Sequence, residues 1–504
     1  MNRTKKFFLN SISAIALQFV NLIIGLILPI IMIKCYGSEA NGLITSITQF
    51  ISYFNLVEAG LASAAIFSLY KPLADNDHEK INQIVSTTKK LYFSSGFIFV
   101  FLVFGLAISY LFLIETNIFS NMEIFFLVVI LGGSGFLDFF TLSKYRVLLT
   151  ADQKLYMISI SSIIYYIINA IILILLANLN FNIIVARLVA LVAIVIRSLI
   201  LHLYVRKNYK YVNYNSETNK NLIDKRQDAL FLQILGSIQN AAPVIMLTIF
   251  CDLTVVSVYS IYNMVLQGIN SLLSIFTSGL PSSFGDVIAR KQIKLLQKAS
   301  QEFEYIYYNI LTVIYSCTLL LILPFVKLYT SGITDTNYYF PVVGILFVIN
   351  GLLYNLKTPQ GMLVISSGMY KETKWQSTIQ GLLIIIFGLI FIPKFGIVGA
   401  LIASIISNLY RDIDLLFFIP RKVTHNPVIY TFIRQLKILI IGCFASFCCY
   451  KINYDINNYF DWIIYALICF GITFLILLLF DFIFERKKLK QIIVRIKLII
   501  GGKK

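Results

Sequence analysis

Apolar runs of about 20 residues, each long enough to cross a bilayer as a helix, alternate along the chain with short polar segments. Fourteen such runs are centred near residues 22, 56, 102, 134, 167, 193, 240, 267, 314, 352, 385, 407, 441 and 472. The second, fourth, eighth and tenth are polar enough that a plain hydropathy window can miss one. The polar break from Lys207 to Gln227 separates two sets of six. A shift of roughly 217 residues brings the sets into register and lays Leu149–Lys154 over Ser366–Lys371. The pattern predicts an all-α polytopic membrane protein with 14 transmembrane helices, as two six-helix lobes in pseudo-two-fold arrangement plus a C-terminal helix pair. The expected divisions are a lobe over 1–206, a cytoplasmic linker over 207–228, a second lobe over 229–420, helices thirteen and fourteen over 421–484, and a tail over 485–504. In that tail Ile492, Ile493, Ile496 and Ile500 recur at near-helical spacing among lysines, which suits the surface of an anionic leaflet.

Charge orients the helices. With the N-terminus inside, cytoplasmic segments hold 35 of the 42 Lys and Arg, outer loops hold four (Lys34, Lys327, Lys394, Lys451), and Arg187, Arg197 and Lys357 fall within helices. The bias obeys the positive-inside rule at every loop and predicts that both termini are cytoplasmic. Arg3, Lys5 and Lys6 precede an apolar run to about Ile33 with no small-residue cleavage site, so this reads as a retained first helix.

Composition sharpens the class. Hydrophobic residues make up 58% of the 504 and charged residues 13%, with mean hydropathy +0.82, which excludes a soluble domain. The net charge of +18 sits in loops between apolar runs, so it reports membrane topology and not nucleic-acid binding. The seven cysteines form no CxxC pair and His78, His202 and His425 are scattered, so no metal site is expected.

Candidate chemistry lies in the charges that apolar runs carry. Phe181–Tyr204 holds Arg187 and Arg197, and an arginine at mid-membrane costs at least about 2.5 kcal/mol. Ten residues leave the two side chains about 80° apart, so both can face one cavity. Snorkelling to the helix ends is the alternative. Glu58, Asp138 and Lys357 are the other charges in apolar runs. Under the 217-residue shift Asp138 falls two residues from Lys357, which leaves open a buried ion pair between them or two separate cavity charges. Gln18 and Asn21 in helix one, Gln239 and Asn240 in helix seven, and the stripe Asn263, Gln267 and Asn270 in helix eight are costly against lipid. They suit sugar hydroxyls and helix-to-helix hydrogen bonding equally.

Ile392-Pro393-Lys394-Phe395-Gly396-Ile397-Val398-Gly399-Ala400-Leu401-Ile402-Ala403, Tyr36-Gly37-Ser38-Glu39-Ala40-Asn41-Gly42 and Glu58-Ala59-Gly60-Leu61 resemble turns of the Wzx-type oligosaccharide flippases, the polysaccharide-transporter branch of the MATE-like flippase superfamily. The resemblance spans nearly the whole chain in helix count and spacing. It implies a flippase, not an enzyme, that carries an undecaprenyl-pyrophosphate-linked oligosaccharide to the outer leaflet of the bacterial cytoplasmic membrane by alternating access, for capsule or O-antigen-type export. Lipid II flippases of the superfamily carry charges in helix one; Gln18 and Asn21 here favour another repeat unit. On this reading Arg187, Arg197, Lys357, Gln18, Asn21, Asn263, Gln267 and Asn270 bind substrate. Glu58 and Asp138 couple turnover to H+ or Na+, and no cofactor is required. Membrane lipids and polysaccharide assembly enzymes are the expected partners. The alternatives are a small-solute or drug antiporter of the same superfamily and a polytopic glycan polymerase. Short outer loops without paired carboxylates argue against the polymerase.

Overall fold

The structure, a computed structural model, describes residues 3–58, 60–114, 116, 118–219, 227–277, 280–452, 454–486, 488–490 and 494. Among the described residues all regular structure is helical. Twelve helical stretches are long and apolar enough to cross a membrane. Two are double length, at 68 and 51 residues. The first is interrupted at Gly37 (φ 87°, ψ 165°) and again between Phe54 and Leu61, and the second at Gly396 (φ 53°, ψ −125°). The sequence places its turns after helices one and eleven at these two glycines, and left-handed φ is open to glycine without steric cost. The tail isoleucines and residues 220–226 of the expected linker lie outside the described residues.

The chain forms two compact units: Met1–Met264 with Ile333–Thr336 and Gly388–Ala400, and Val265–Gly332 with Asn337–Phe387 and Leu401–Lys504. The first contains α1 (Arg3–Phe54), α2 (Leu61–Asp75), α3 (His78–Leu113), α4 (Asn121–Leu137), α5 (Ser143–Ala151), α6 (Leu155–Asn178), α7 (Ile183–Asn208) and α8 (Gln227–Phe250), and ends within α9 (Leu253–Thr277). The second holds the rest of α9, α10 (Leu280–Ala289), α11 (Ile293–Tyr329), α12 (Pro341–Leu356), α13 (Thr358–Ser367), most of α14 (Lys374–Ile419), α15 (Val428–Tyr450) and α16 (Tyr459–Phe484).

Helix starts follow the sequence. Asp77, Asn182 and Asn458 accept from the backbone amides of Lys80, Ile184 and Asp461. Ser120 and Glu123 form a reciprocal capping box on α4. At the Gly37 break Asp335 does the same work from another loop of the first unit. Its Oδ2 accepts from the Ser38 amide at 2.7 Å and its Oδ1 from Ser38 Oγ at 2.8 Å.

In the first unit Leu43, Ile47, Leu69, Ile84, Phe99 and Leu148 are buried in one apolar core. Small residues set its closest approaches. A Cβ on Gly42 would stand 1.8 Å from the Leu253 carbonyl oxygen, so α1 meets the start of α9 backbone to backbone. Polar side chains in this core are paired: Thr248 Oγ1 donates to Ser46 Oγ at 2.7 Å, and Ser46 Oγ lies 2.5 Å from the Tyr110 hydroxyl. Apolar side chains also face outward, Phe101 being 77% and Phe112 83% exposed, as contact with hydrocarbon requires.

In the second unit α11, α15 and α16 are joined by a buried polar network. Lys437 pairs with Asp481 and lies 3.3 Å from Glu485, Tyr305 donates to Asp481, and Asn309 donates to it at 2.7 Å. Arg434 lies 3.4 Å from Glu304. Arg411, Arg434 and Lys437, which the sequence counts among the basic residues of cytoplasmic segments, lie within helices and are buried.

Candidate functional site

Each unit carries one cluster of charge on an interrupted helix. In the first, the run after α4 passes into a π turn, Asp138–Leu142, before resuming as α5. Asp138 and Arg146 are eight residues apart, which leaves them about 80° apart on an ideal α-helix. A five-residue π stretch turns through less angle per residue, by about 18°, and so cancels that offset. Arg146 reaches back along the direction in which helical Cβ bonds tilt. Its Nη2 lies 2.7 Å from Asp138 Oδ2 and 3.8 Å from Glu58 Oε2. It also donates to Ser143 Oγ at 3.0 Å. Glu58 lies midway along the stretch after Gly37, where a 3-10 turn, Asn55–Glu58, separates α1 from α2. Both coupling candidates thus lie against one arginine, Arg146, which bonds Asp138 and stands 3.8 Å from Glu58.

Beside this triad stands α7. The Arg197 guanidinium carbon lies 5.7 Å from the centroid of the Tyr165 ring on α6, a cation–π arrangement. Arg187 lines a partly open cavity of about 90 Å³ with Ser134, Tyr165, Asn169 and Leu191. Among the described residues, the buried Nε of Arg187, Nε of Arg197, Oε2 of Glu58 and Oδ1 of Asp138 have no hydrogen-bond partner. Buried donors and acceptors left unmade cost about 1–3 kcal/mol each, so the arrangement holds unspent polar capacity on both signs of charge.

In the second unit α12 stops at Leu356 and α13 begins at Thr358, with Lys357 between. Pro359 causes the break, since its ring clashes with the carbonyl four residues back and it has no amide hydrogen to donate. Lys357 Nζ donates to Asn408 Oδ1 at 2.5 Å, and Asn408 Nδ2 donates to Asn350 Oδ1 at 2.9 Å. The Tyr354 ring lies under the ammonium at 4.9 Å. One helical turn on from Asn408, Asp412 is 6% exposed and neither carboxylate oxygen has a partner among the described residues. Asn355 donates to Asn270 Oδ1 and to the Tyr315 hydroxyl, both at 2.8 Å.

The expected site residues therefore separate. Asp138 and Glu58 come together on Arg146, and Arg187 and Arg197 share Tyr165. Lys357 finds Asn408, and Asp138 and Lys357 each have a partner inside their own unit. Of the α9 stripe, Asn270 bonds to Asn355, Asn263 is partly buried and Gln267 is exposed. Gln18 and Asn21 are partly buried on α1. Arg146, Tyr165, Asn169, Asn408 and Asp412 were not anticipated. A signal for the last two was present: Ser404, Asn408 and Asp412 recur every four residues within an apolar run.

No family model matches the chain, and no curated protein matches it either. Solved structures do. The inward closed conformation of the lipid II flippase MurJ superimposes with a TM-score of 0.69 at 17% identity, covering 94% of this chain and 99% of that one. This chain has the fold of the MOP superfamily. An inward-facing multidrug resistance MATE transporter of that superfamily gives 0.56 at 13% identity, over 85% of this chain and 98% of that one. A MOP superfamily transporter from Pyrococcus furiosus, described as having a binding pocket of reverse polarity, gives 0.56 at 14% identity, over 87% and 97%. The matched proteins are flippases and transporters. With the apolar helices, the MOP fold makes this a multi-pass membrane protein.

Proposed function

We propose that the protein is a flippase that moves an undecaprenyl-pyrophosphate-linked oligosaccharide from the inner to the outer leaflet of the bacterial cytoplasmic membrane by alternating access, for capsule or O-antigen-type export. It crosses the membrane fourteen times, each arm beside Gly37 and Gly396 counting as one crossing, with both termini inside. The crossings form two six-helix lobes and a C-terminal pair. The observation that carries this reading is the pair Arg187 and Arg197, which turn to one tyrosine inside the first unit with their Nε donors unengaged.

A pyrophosphate cannot enter hydrocarbon bare, because its water must be replaced. Arginine supplies planar, permanently charged donors that match phosphate oxygens. Lys357 is a further cation on the path. Gln18, Asn21, Asn263, Gln267 and Asn270 take sugar hydroxyls, and Glu58 and Asp138 respond to H+ or Na+ through Arg146. The likeness to a lipid II flippase supports a lipid-linked substrate.

The test is flipping of a fluorescent undecaprenyl-pyrophosphate-linked oligosaccharide in vesicles containing the full chain. Arg187→Gln and Arg197→Gln should each slow it at least about tenfold, the loss of roughly one charge-assisted hydrogen bond. Wild-type rates in both variants, or efflux of cationic dyes with no lipid flipping, would turn the reading towards an antiporter.

A further inference from the structure

Glu58 and Asp138 already have Arg146. The carboxylate of the described chain that is most deeply buried and has no hydrogen-bond or ion-pair partner is Asp412, in the other unit. It lies one turn beyond Asn408 on α14, so the two side chains share a face of that helix. That face holds the Lys357 ammonium, which donates to Asn408. Lys357 and Asp412 interact electrostatically, yet no ion pair joins them, and Asp412 is left with two buried, unsatisfied oxygens.

The surroundings narrow what Asp412 can bind. From α11 it faces Tyr308, whose hydroxyl donates to the Leu356 carbonyl and accepts from Gln360 Nε2. Glu304, also on α11, is held by Thr431 and Arg434. From α12 comes Tyr354, its ring under Lys357. On its own helix Arg411 is engaged by Asp414 at 2.5 Å. Among the described residues no second free carboxylate faces Asp412, and the charge acting on it is the Lys357 ammonium. A metal cation needs several oxygen ligands and would be repelled by the ammonium. A proton needs one oxygen and removes the charge whose burial is costly.

We propose that Asp412 is a proton-binding site and that its protonation state decides whether Lys357 is paired inside the protein or free for an anion. With Asp412 ionised, the pair is neutral overall and Lys357 is drawn to the carboxylate. When a proton from the aqueous phase binds one Asp412 oxygen, the acid is neutral and the pair carries one positive charge. Lys357 then rests on the neutral Asn408 carbonyl, the arrangement observed, and its charge is available to a phosphate oxygen. Release of the proton restores the internal pair and weakens hold on the anion. One proton is thereby linked to one unit of anion-attracting charge. Use of that charge on a lipid pyrophosphate rests on the function proposed above; the proton site does not.

The site is tested first without substrate. Infrared difference spectra of the full chain in nanodiscs, between acid and alkaline buffer, should contain a deuterium-sensitive protonated-carboxyl band. The band should vanish in Asp412→Asn and be retained at a displaced frequency in Asp412→Glu, which guards against misfolding of one variant. In Lys357→Met it should persist to higher pH, because the positive charge favouring the carboxylate has gone. Coincident spectra for wild type and Asp412→Asn would overturn the proposal. Where the wild type flips the lipid in vesicles, a pH gradient should accelerate it and leave the Asp412→Asn rate unchanged; equal stimulation of both, or of neither, would overturn the link between Asp412 and the anion. A titrating Asp412 in a protein that flips no lipid-linked glycan would keep the proton site and remove the flippase.

Discussion

Arg146 Nη2 lies 2.7 Å from Asp138 Oδ2 across a π turn, with Glu58 Oε2 at 3.8 Å on its other side. One guanidinium thus stands between two carboxylates from separate segments of the first unit. The side chains are 24–29% exposed, so their coupling falls between the surface limit of about 1 kcal/mol and the buried range of about 3–5. Arg146→Met should lower stability by about 2 kcal/mol in detergent melts. Adding Asp138→Asn should recover part of that loss, and strict additivity of the two changes would show that the pair is not coupled.

The network at Lys437 is more deeply enclosed, with Lys437 5% and Asp481 1% exposed. Removing one partner strands the other. Lys437→Met should destabilise by about 3–5 kcal/mol, and Lys437→Met with Asp481→Asn should cost less than Lys437→Met alone. Chemical denaturation followed by Trp462 fluorescence reads this directly, since its indole donates to the Leu321 carbonyl beside the same helices.

Gly42 gives a steric prediction with an internal control. Gly42→Ala drives a methyl into the Leu253 carbonyl, where only backbone can yield, so a loss near the top of the overpacking range, about 3 kcal/mol, is expected. Gly25→Ala on the same helix meets nothing within 4 Å and should be neutral or stabilising by roughly 0.5–1 kcal/mol. Equal melting temperatures for the two variants would contradict the backbone contact.

Acid stability should report Asp152, which lies in the turn between α5 and α6. Burial pushes its carboxyl up, but the Tyr209 hydroxyl at 2.5 Å, Lys154 and Lys6 outweigh this and hold it below the ordinary carboxylate value. A carboxyl depressed in the folded state stabilises above its unfolded value and loses that contribution as pH falls through the folded one. Wild type should therefore melt above Asp152→Asn at pH 7, and the gap should close below about pH 4. Tyr209→Phe should narrow the gap at neutral pH. A gap independent of pH would rule the linkage out.

Much of the fold was legible in advance because bilayer thickness is written into run length. The turns at Gly37 and Gly396 are local events that depend on a left-handed φ. Arg187, Arg197 and Lys357 stood out because a charge in hydrocarbon is costly wherever it points. Arg146 could not be assigned in the same way. Its partner lies off its face on an ideal helix, and the π turn that restores alignment leaves no mark in hydrophobic periodicity. Lys437 and Arg434 were hidden for a related reason: near the end of an apolar run, a snorkelling lysine and a buried one look alike until a carboxylate from α11 or α16 is seen opposite.

The residue string by itself determined that this chain must be a bundle of membrane helices, about where each is centred, and which side chains are too polar for lipid. Whether such a side chain is satisfied depends on groups distant in sequence arriving within about 3 Å, and only the tertiary structure decided that. It gave Glu58 and Asp138 a shared arginine, set Arg187 and Arg197 about one tyrosine, and left Asp412 beside Lys357 with nothing to accept from.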